Sequence, residues 1–356
     1  MDRRLWLAPF LIVGMACAGA PGQTQTPADV PSPPWPAGDE RGMANAIGPA
    51  TWARCAPYFS QPAARAYELS HVRSNTMPLS PFAGPYVQKP AQTSGFPGTL
   101  HVLNMEVLNE GANPGQQGTQ MDALGHFGHL SQPWDGTSPL ATDGVRYYGG
   151  FTQRDVKPTP DSALLKLGMD KVPPIITTAV LLDARQHVGG GSPMKAGDTV
   201  TAKHLEAMLQ AQGLGSRGIL PGDAVLVYTG WSERYADPDT EKVYYAMAPG
   251  LSDDAAQWLA QRRPAIVGLD TPFVDAVADG QLAGKAPPPP GTPAGMAFTS
   301  HQRFLVEAGV HTLENAKLDE LVSDKVWTSC VMVLPLREKG AAGAAVRPVA
   351  IGASGR

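Results

Sequence analysis

One polar stretch organises this chain: residues 116–129 read QQGTQMDALGHFGH. An extended backbone projects alternate side chains to one side, and the polar members at even positions are Gln116, Gln120 and Asp122. His126 and His129 follow within reach of the same space. Donors that converge from one face are what a metal site or an acid–base site needs. The alternative is a polar loop whose side chains satisfy its own backbone, so the rest of the chain has to decide between the two.

Length and composition indicate a soluble globular protein. The chain has 356 residues, enough for one large domain or two small ones with a substantial core. Its 35 prolines and 39 glycines predict a loop-rich surface rather than a bundle of long helices. The formal net charge is −4, and no run rich in lysine and arginine occurs. Nucleic-acid binding therefore has no electrostatic support.

The N-terminus is typical of an export signal. Residues 1–20 begin with Arg3 and Arg4, continue with an apolar segment and end in small residues that suit a cleavage site. The apolar segment is too short for a membrane span. Cys17 offers a lipoprotein alternative, but the glycine three positions ahead of it, Gly14, is a poor fit, which favours cleavage and release. We expect a periplasmic or secreted protein.

Domain organisation follows from the same region. Residues 21–36 are rich in proline, threonine and glutamine and predict a flexible tether. Residues 37–356 are interpreted as a single domain, which would carry the polar stretch and any catalytic function. After export, Cys55 and Cys330 remain, and an oxidising compartment permits a disulfide between them without showing that they meet. Cys330 begins an apolar run and is interpreted as a small buried core residue.

Strands and helices alternate in the second half of the chain. Apolar runs at 180–182, 224–229 and 265–269 predict buried strands, and Thr201 and Ser252 are predicted to cap helices. This order indicates an α/β domain whose strands are covered by helices. Two of these strands end in carboxylates, Asp183 and Asp270. Such folds often place functional groups at the ends of strands, although carboxylates are also common in turns.

The opening stretch resembles the signature H-x-G-T-H-x-D-x-P-x-H of the cyclase family of metal-dependent hydrolases, whose members include bacterial kynurenine formamidases and isatin hydrolases. In register, the positions that match are Gly118, Thr119, Asp122 and His126. The positions that differ are Gln116, Gln120 and Leu124.

Further segments resemble the same family in the same order along the chain. They are 35–45, 220–231, 268–272, the pair His301 and Glu314, 334–337 and 347–349. The resemblance implies a swivelling β/β/α domain, which is an α/β fold with a mixed sheet and covering helices. It also implies a homodimer or homotetramer, a small-molecule substrate and no nucleic-acid partner.

The resemblance further implies a metal-assisted reaction. Asp122, His301 and Glu314 would be metal ligands, with Gln120 and Gln116 assisting, and His126 would be the general acid/base. The cofactor would be one divalent ion per chain, Zn²⁺ or Mn²⁺. Water activated by that ion would attack a carbon–nitrogen bond of an amide, imide or lactam, or an ester or lactone.

Glutamine at two imidazole positions leaves three interpretations open. The site is mononuclear, or it holds a harder ion such as Mn²⁺ with the Gln120 oxygen as a ligand, or the protein has lost the metal and kept a binding pocket. The last describes a non-catalytic periplasmic binding protein that uses Gln116 and Gln120 as hydrogen-bonding groups. A metal-dependent lyase or cyclase would use the same residues without net addition of water.

Remaining features have no single interpretation. His129 and His71 are candidates for contact with a ligand or for structural roles. The proline-rich segment 287–293 is a stiff spacer that forms either part of a pocket rim or a surface loop.

Overall fold

The computed structural model describes residues 34–95, 97–108, 116–136 and 144–355. The predicted signal segment, residues 1–20, lies outside these residues, as does the predicted tether up to residue 33. Within the described ranges, no helix combines the length and apolar character that crossing a bilayer requires.

The described ranges contain the following strands, in chain order: β1 Ala64–Glu68, β2 Gln88–Pro90, β3 Ser94–Gly95, β4 Val102–Leu103, β5 Glu106–Leu108, β6 Gln120–Asp122, β7 His129–Leu130, β8 Val145–Arg146, β9 Ile175–Asp183, β10 Thr199–Val200, β11 Ala224–Tyr228, β12 Gly250–Leu251, β13 Ile266–Leu269, β14 His311–Glu314, β15 Thr328–Val333, β16 Gly343–Ala345 and β17 Val349–Ala353.

The α-helices are α1 Pro49–Cys55, α2 Gln153–Val156, α3 Ala184–His187, α4 Ala202–Ala211, α5 Asp253–Gln261, α6 Thr299–His301 and α7 Asp319–Ser323. A π-helical segment, Gln302–Ala308, continues α6. Short 3₁₀ helices are Gly42–Ala46, Ala56–Ser60, Leu124–His126, Tyr148–Gly150, Met169–Lys171, Trp231–Arg234 and Gln281–Ala283.

Nine of the strands form one mixed sheet in the order β1-β17-β15-β9-β11-β13-β14-β6-β16. Its centre is parallel, because β9, β11, β13 and β14 run in the same direction with helices in the connections between them. Antiparallel strands extend it on both sides. The predicted α/β class with a mixed sheet and covering helices is confirmed.

Side-chain alternation along the central strands separates two cores. Val180 and Leu182 of β9 pack on the side of α4 and α5, whereas Leu181 faces the opposite side. The core on that opposite side includes Tyr67 of β1 and Ala344 of β16, which lie on the two outermost strands of the sheet. The sheet is therefore curled, and its two edges close around one apolar interior.

The predicted helices and strands are largely confirmed. Thr201 caps α4 by accepting a hydrogen bond from the backbone of His204 at 3.3 Å. Ser252 stands at the N-cap position of α5, as predicted. Its hydroxyl bonds the Asp254 carboxylate at 2.5 Å and the Val200 carbonyl at 3.0 Å rather than a backbone N–H of the helix, so the predicted side-chain cap is wrong. The preceding β12 pairs with β10, which brings that carbonyl within reach.

A disulfide joins Cys55 at the end of α1 to Cys330 on β15. The two Cα atoms lie 4.9 Å apart, although 275 positions separate the residues in the chain. Cys330 is fully buried, as expected for a core residue, but it is also covalently linked. Packing of α1 against β9 and β15 brings the two cysteines together, which sequence spacing could not show.

Candidate metal centre

Strand register builds the centre of the site. β6 lies between β14 and β16, so that Asp122 stands opposite Thr312 on one side and Gly343 on the other. Gln120 stands opposite Glu314 in the same register. Because alternate residues of a strand share a face, the side chains of Gln120 and Asp122 project together beside those of Thr312 and Glu314.

Hydrogen bonds tie these four side chains into one buried layer. The Thr312 hydroxyl donates to Asp122 Oδ2 at 2.8 Å, and Gln120 Nε2 donates to Glu314 Oε2 at 3.0 Å. Gln120 Nε2 also lies 3.5 Å from Asp122 Oδ1. The carboxylates of Asp122 and Glu314 are thereby held side by side, away from solvent.

His301, in the last turn of α6, faces both of these carboxylates. Its Nε2 atom lies 3.2 Å from Glu314 Oε1 and 3.7 Å from Asp122 Oδ2. On the opposite edge of the ring, Nδ1 lies 2.5 Å from Asp275 Oδ2. Burial by itself lowers the pKa of His301, but hydrogen bonds to Asp122, Asp275 and Glu314 outweigh it and raise that pKa well above its usual value.

The two carboxylates of the layer differ in their preference for a proton. Burial and the charge of Asp122 raise the pKa of Glu314 to about 7. Burial also opposes ionisation of Asp122, but the imidazoles of His126 and His301 and the hydrogen bond from Thr312 together outweigh burial and lower the pKa of Asp122. Such a pair of adjacent acids is stabilised either by sharing a proton or by a cation placed between them.

His126 approaches from the end of β6, at the last position of the 3₁₀ helix Leu124–His126. Its Nδ1 atom lies 2.9 Å from Nε2 of Gln116, so the amide donates to that ring nitrogen. Burial lowers the pKa of His126 and keeps the imidazole neutral. Ligand atoms of Asp122, His126 and His301 all lie within 4.8 Å of one another.

The donor set fits a divalent cation. Oε1 of Gln120 is buried and has no hydrogen-bond partner among the described residues, so an oxygen ligand remains available beside the two carboxylates. The absence of a side chain at Gly343 makes space for Gln116 and Asp122. A Cβ atom there would stand 2.9 Å from Gln116 Nε2 and 3.1 Å from Asp122 Oδ1. Carboxylate and amide oxygens with one imidazole suit Mn²⁺ and are compatible with Zn²⁺.

Aromatic rings cover the histidine side of the site. Phe127 stacks on the ring of His301 at a centroid distance of 4.7 Å. Phe298 lies edge-on to the same imidazole at 6.0 Å and also contacts Phe127. Phe273 extends this surface by an edge contact with Phe298 at 6.0 Å. The site therefore combines a layer of buried carboxylates with a cluster of aromatic rings on the histidine side.

The carboxylates at the ends of two predicted strands, Asp183 and Asp270, bond to nearby turns and not to the candidate metal site. Asp183 accepts a hydrogen bond from the backbone of Gln186 and caps α3. Asp270 accepts from the backbone and the hydroxyl of Thr229, both at 2.7 Å, and also binds Ser232. Each carboxylate thus fixes the turn that follows a parallel strand, which accounts for its position.

The other predicted candidates lie in separate surroundings. His129 is on β7 and pairs with Arg146 of β8. His71 stacks on Tyr235 at a centroid distance of 3.9 Å and borders a cavity of about 490 Å³ that Leu334 and Leu336 also line. In the segment 287–293, Pro289 and Pro290 border a small cavity together with Asp275, so this segment lies close to Asp275.

Sequence reasoning missed Asp275 and Thr312. Thr312 could have been found from its position two residues before Glu314, since residues two apart on a strand share a face. Asp275 follows the Asp270 strand end by five residues, in the connection between β13 and α6, and no local pattern marks it. Its place beside His301 depends on how this connection folds back against α6.

Comparison with solved structures shows the fold. A structure described as a novel cyclase superposes with a TM-score of 0.71 at 22% identity, covering 89% of this chain and 95% of the other. An isatin hydrolase bound to the product analogue thioisatinate gives a TM-score of 0.54 at 16% identity, covering 82% and 94%. Isatin hydrolase A from Ralstonia solanacearum gives 0.54 at 20% identity, covering 86% and 98%.

Comparison at the sequence level identifies the family. A search of curated proteins finds no match for this chain. The family profile described as "Putative cyclase" matches residues 67–276, which is more than half of the chain and includes the signature stretch around Asp122 and His126. The agreement of profile, fold and motif leads to one conclusion: this chain belongs to the cyclase family.

Proposed function

We propose that this protein is a metal-dependent hydrolase of small molecules that carry an amide, imide, lactam, ester or lactone group. The observation that carries the proposal is the convergence of Asp122, Glu314 and His301 on one buried point beside an unpartnered amide oxygen of Gln120. Family membership and likeness to hydrolase structures support the reaction class.

Asp122, His301 and Glu314 would hold one divalent ion, with Gln120 Oε1 as a further oxygen ligand. When bound, the ion supplies positive charge that polarises the substrate carbonyl and makes water more acidic. Asp122 is kept ionised by its hydrogen bond from Thr312 and by the nearby histidines, which suits a ligand. Gln120 also holds Glu314 in place through its amide nitrogen.

His126 would move the proton. Its imidazole is neutral because burial lowers its pKa, so it can accept a proton from the attacking water and return it to the leaving nitrogen or oxygen. Gln116 lies at an imidazole-ligand position of the family signature, but its amide contacts His126 Nδ1. An amide carries both a donor and an acceptor, so rotation of Gln116 by a half turn would support either neutral tautomer of His126.

The aromatic cluster suggests the shape of the substrate. Phe127 stacks on His301 and Phe298 meets it edge-on, and a planar or aromatic substrate would pack against these rings while its carbonyl group faces the carboxylate layer. Aromatic lactams and ring-bearing amides are therefore the first compounds to test. The isatin hydrolases among the similar structures are named for a substrate of this shape.

We also propose that the protein is exported to the periplasm or secreted. The signal-like residues 1–20 motivate this proposal, and the disulfide between Cys55 and Cys330 supports it, since disulfides persist mainly in oxidising compartments. Fractionation of cells that express the full chain tests it. Recovery of the uncleaved protein in the cytoplasm would contradict the proposal.

The decisive experiment measures metal content and hydrolysis together. Mature protein purified without chelators or a histidine tag is expected to carry about one equivalent of Mn²⁺ or Zn²⁺ and to hydrolyse members of an amide, lactam and ester panel. Asp122→Asn is expected to lose both properties. Protein that neither contains metal nor takes it up would contradict the hydrolase proposal and would favour a binding protein that uses Gln116 and Gln120.

A further inference from the structure

Asp275 lies on the far side of His301 from the carboxylate layer. It is buried, with 1% of its surface exposed, in the connection between β13 and α6. Its Oδ2 atom is 2.5 Å from His301 Nδ1, and its Oδ1 atom accepts a hydrogen bond from the backbone of Ser300 at 2.5 Å. Both carboxylate oxygens are therefore engaged by the helix that carries His301.

The backbone of Asp275 is fixed independently of His301. Leu251 of β12 bridges to Asp275 and donates its N–H to the Val274 carbonyl at 2.9 Å. Gly250 lies so close that a Cβ atom there would collide with the backbone of Asp275. A side chain at position 250 would thus push Asp275 away, which shows how tightly this segment is held.

We propose that Asp275 is a positioning residue that sets the ring orientation and the tautomer of His301. By accepting Nδ1–H, it directs Nε2, the nitrogen whose proton a bound metal ion would replace, at the point between Asp122 and Glu314. The inference rests on the proposed metal site, because this orientation matters only if Nε2 is a ligand there. No local sequence motif identifies this role, which follows from the geometry of the folded chain.

An amide at position 275 cannot replace the carboxylate. Three groups donate to Asp275: the Ser300 backbone N–H at Oδ1, and the imidazole Nδ1–H and backbone N–H of His301 at Oδ2. Asparagine offers one acceptor oxygen and one NH₂ donor, so the donors on one side would face another donor. The ring of His301 would then be free to rotate or to exchange its tautomer.

The test compares Asp275→Asn, Asp275→Glu and the wild type by calorimetric titration of the metal-free protein with Mn²⁺ alone. Loss of the orienting carboxylate is expected to weaken Mn²⁺ binding by about 10- to 100-fold in Asp275→Asn. The carboxylate of Asp275→Glu is expected to recover part of that loss. Wild-type affinity in a folded Asp275→Asn variant would overturn the proposal.

Asp270→Asn is the matched control. Asp270 is a buried carboxylate in the same connection, but its partners are Thr229 and Ser232. This variant is expected to lose stability without losing affinity for Mn²⁺. If it weakened Mn²⁺ binding as much as Asp275→Asn, the effect of Asp275 would be general destabilisation, and the positioning role would be wrong.

Nitrogen NMR of the wild type gives a readout that needs no variant. In the Zn²⁺-loaded protein, His301 is expected to show a protonated Nδ1 and an unprotonated Nε2. The opposite tautomer would overturn the proposal. If the wild type bound no metal, the proposed function would fail. A strongly downfield Nδ1–H signal from His301 in the metal-free protein would still support the hydrogen bond to Asp275. Absence of that signal would contradict this bond.

Discussion

Thr312 and Asp122 face each other across β14 and β6, and the threonine hydroxyl donates to the aspartate Oδ2 at 2.8 Å. Each residue is fully buried, so the hydroxyl has no water to replace this bond. One cross-strand pair thereby orients a candidate ligand and helps to keep it ionised. The family signature contains Asp122, but the partner that holds it comes from a strand 190 positions away.

Thr312→Val tests this pair with little change of shape. Asp122 would lose a donor in a buried site, so we expect about 1–3 kcal/mol lower stability and about tenfold weaker Mn²⁺ binding. Denaturant unfolding and calorimetry measure the two effects. Thr177→Val is the control, because the buried Thr177 hydroxyl bonds the Gly222 carbonyl at 2.7 Å, away from the site. Equal loss of Mn²⁺ affinity in both variants would refute the specific role of Thr312.

His126→Ala separates proton transfer from metal binding. If His126 is the acid/base, the variant keeps its metal content while kcat falls by about 10²- to 10⁴-fold. His129→Ala, which removes an imidazole three positions further along on β7, is expected to keep both activity and metal. Loss of the metal from His126→Ala would instead show that His126 is a ligand. The geometry allows this, because ligand atoms of His126, Asp122 and His301 lie within 4.8 Å of one another.

The two glutamines are expected to affect different steps. Gln120→Ala removes the unpartnered oxygen and the bond to Glu314, so metal affinity is expected to fall about tenfold. Gln116→Ala removes the contact with His126 Nδ1, so kcat is expected to fall about tenfold at unchanged metal content. Metal titration and steady-state kinetics on both variants separate an effect on metal affinity from an effect on kcat. Equal loss of metal from both would mean that Gln116 is also a ligand.

Acid is expected to destabilise the protein through His71. Burial lowers the pKa of His71 from 6.5 to about 4, so the folded state holds a neutral ring while the unfolded chain takes up a proton below pH 6.5. The stabilising contribution is therefore complete above pH 6.5 and is lost progressively as the pH falls towards 4. His71→Phe keeps a flat ring against Tyr235 and is expected to flatten the stability profile in this window.

Urea unfolding of wild type and His71→Phe at intervals from pH 7.5 to 4 measures this contribution. His101→Phe serves as the control, because the side chain of His101 is exposed. A profile of His71→Phe that parallels the wild type would show that burial of His71 does not contribute to acid sensitivity.

The disulfide is expected to stabilise the fold strongly. Cys55 and Cys330 are 275 positions apart, so the link restricts a very long loop in the unfolded chain. Cys55→Ala combined with Cys330→Ala is expected to lower the free energy of unfolding by about 2–5 kcal/mol. A reductant should lower the stability of the wild type to that of the double variant and leave the double variant unchanged. Insensitivity of the wild type to reductant would show that the bond does not form or does not stabilise.

Much of this protein could be predicted from local sequence patterns. Apolar runs predicted β9, β11 and β13, the cap at Thr201 predicted α4, and the signature placed Asp122 and His126 in one stretch with Gln116 and Gln120. These features depend on neighbours within a few residues, because hydrophobic periodicity, capping and motif spacing are local properties of the chain.

Tertiary structure alone decided which groups meet. The register of β6 against β14 sets Thr312 beside Asp122, and the connection between β13 and α6 folds back to set Asp275 against His301. Packing of α1 on the sheet closes the disulfide. For Asp183 and Asp270 the sequence left a functional role and a turn role open, and the structure gives both carboxylates partners in turns. Contacts between distant segments depend on register and packing across the whole core, and no single stretch of sequence carries that information.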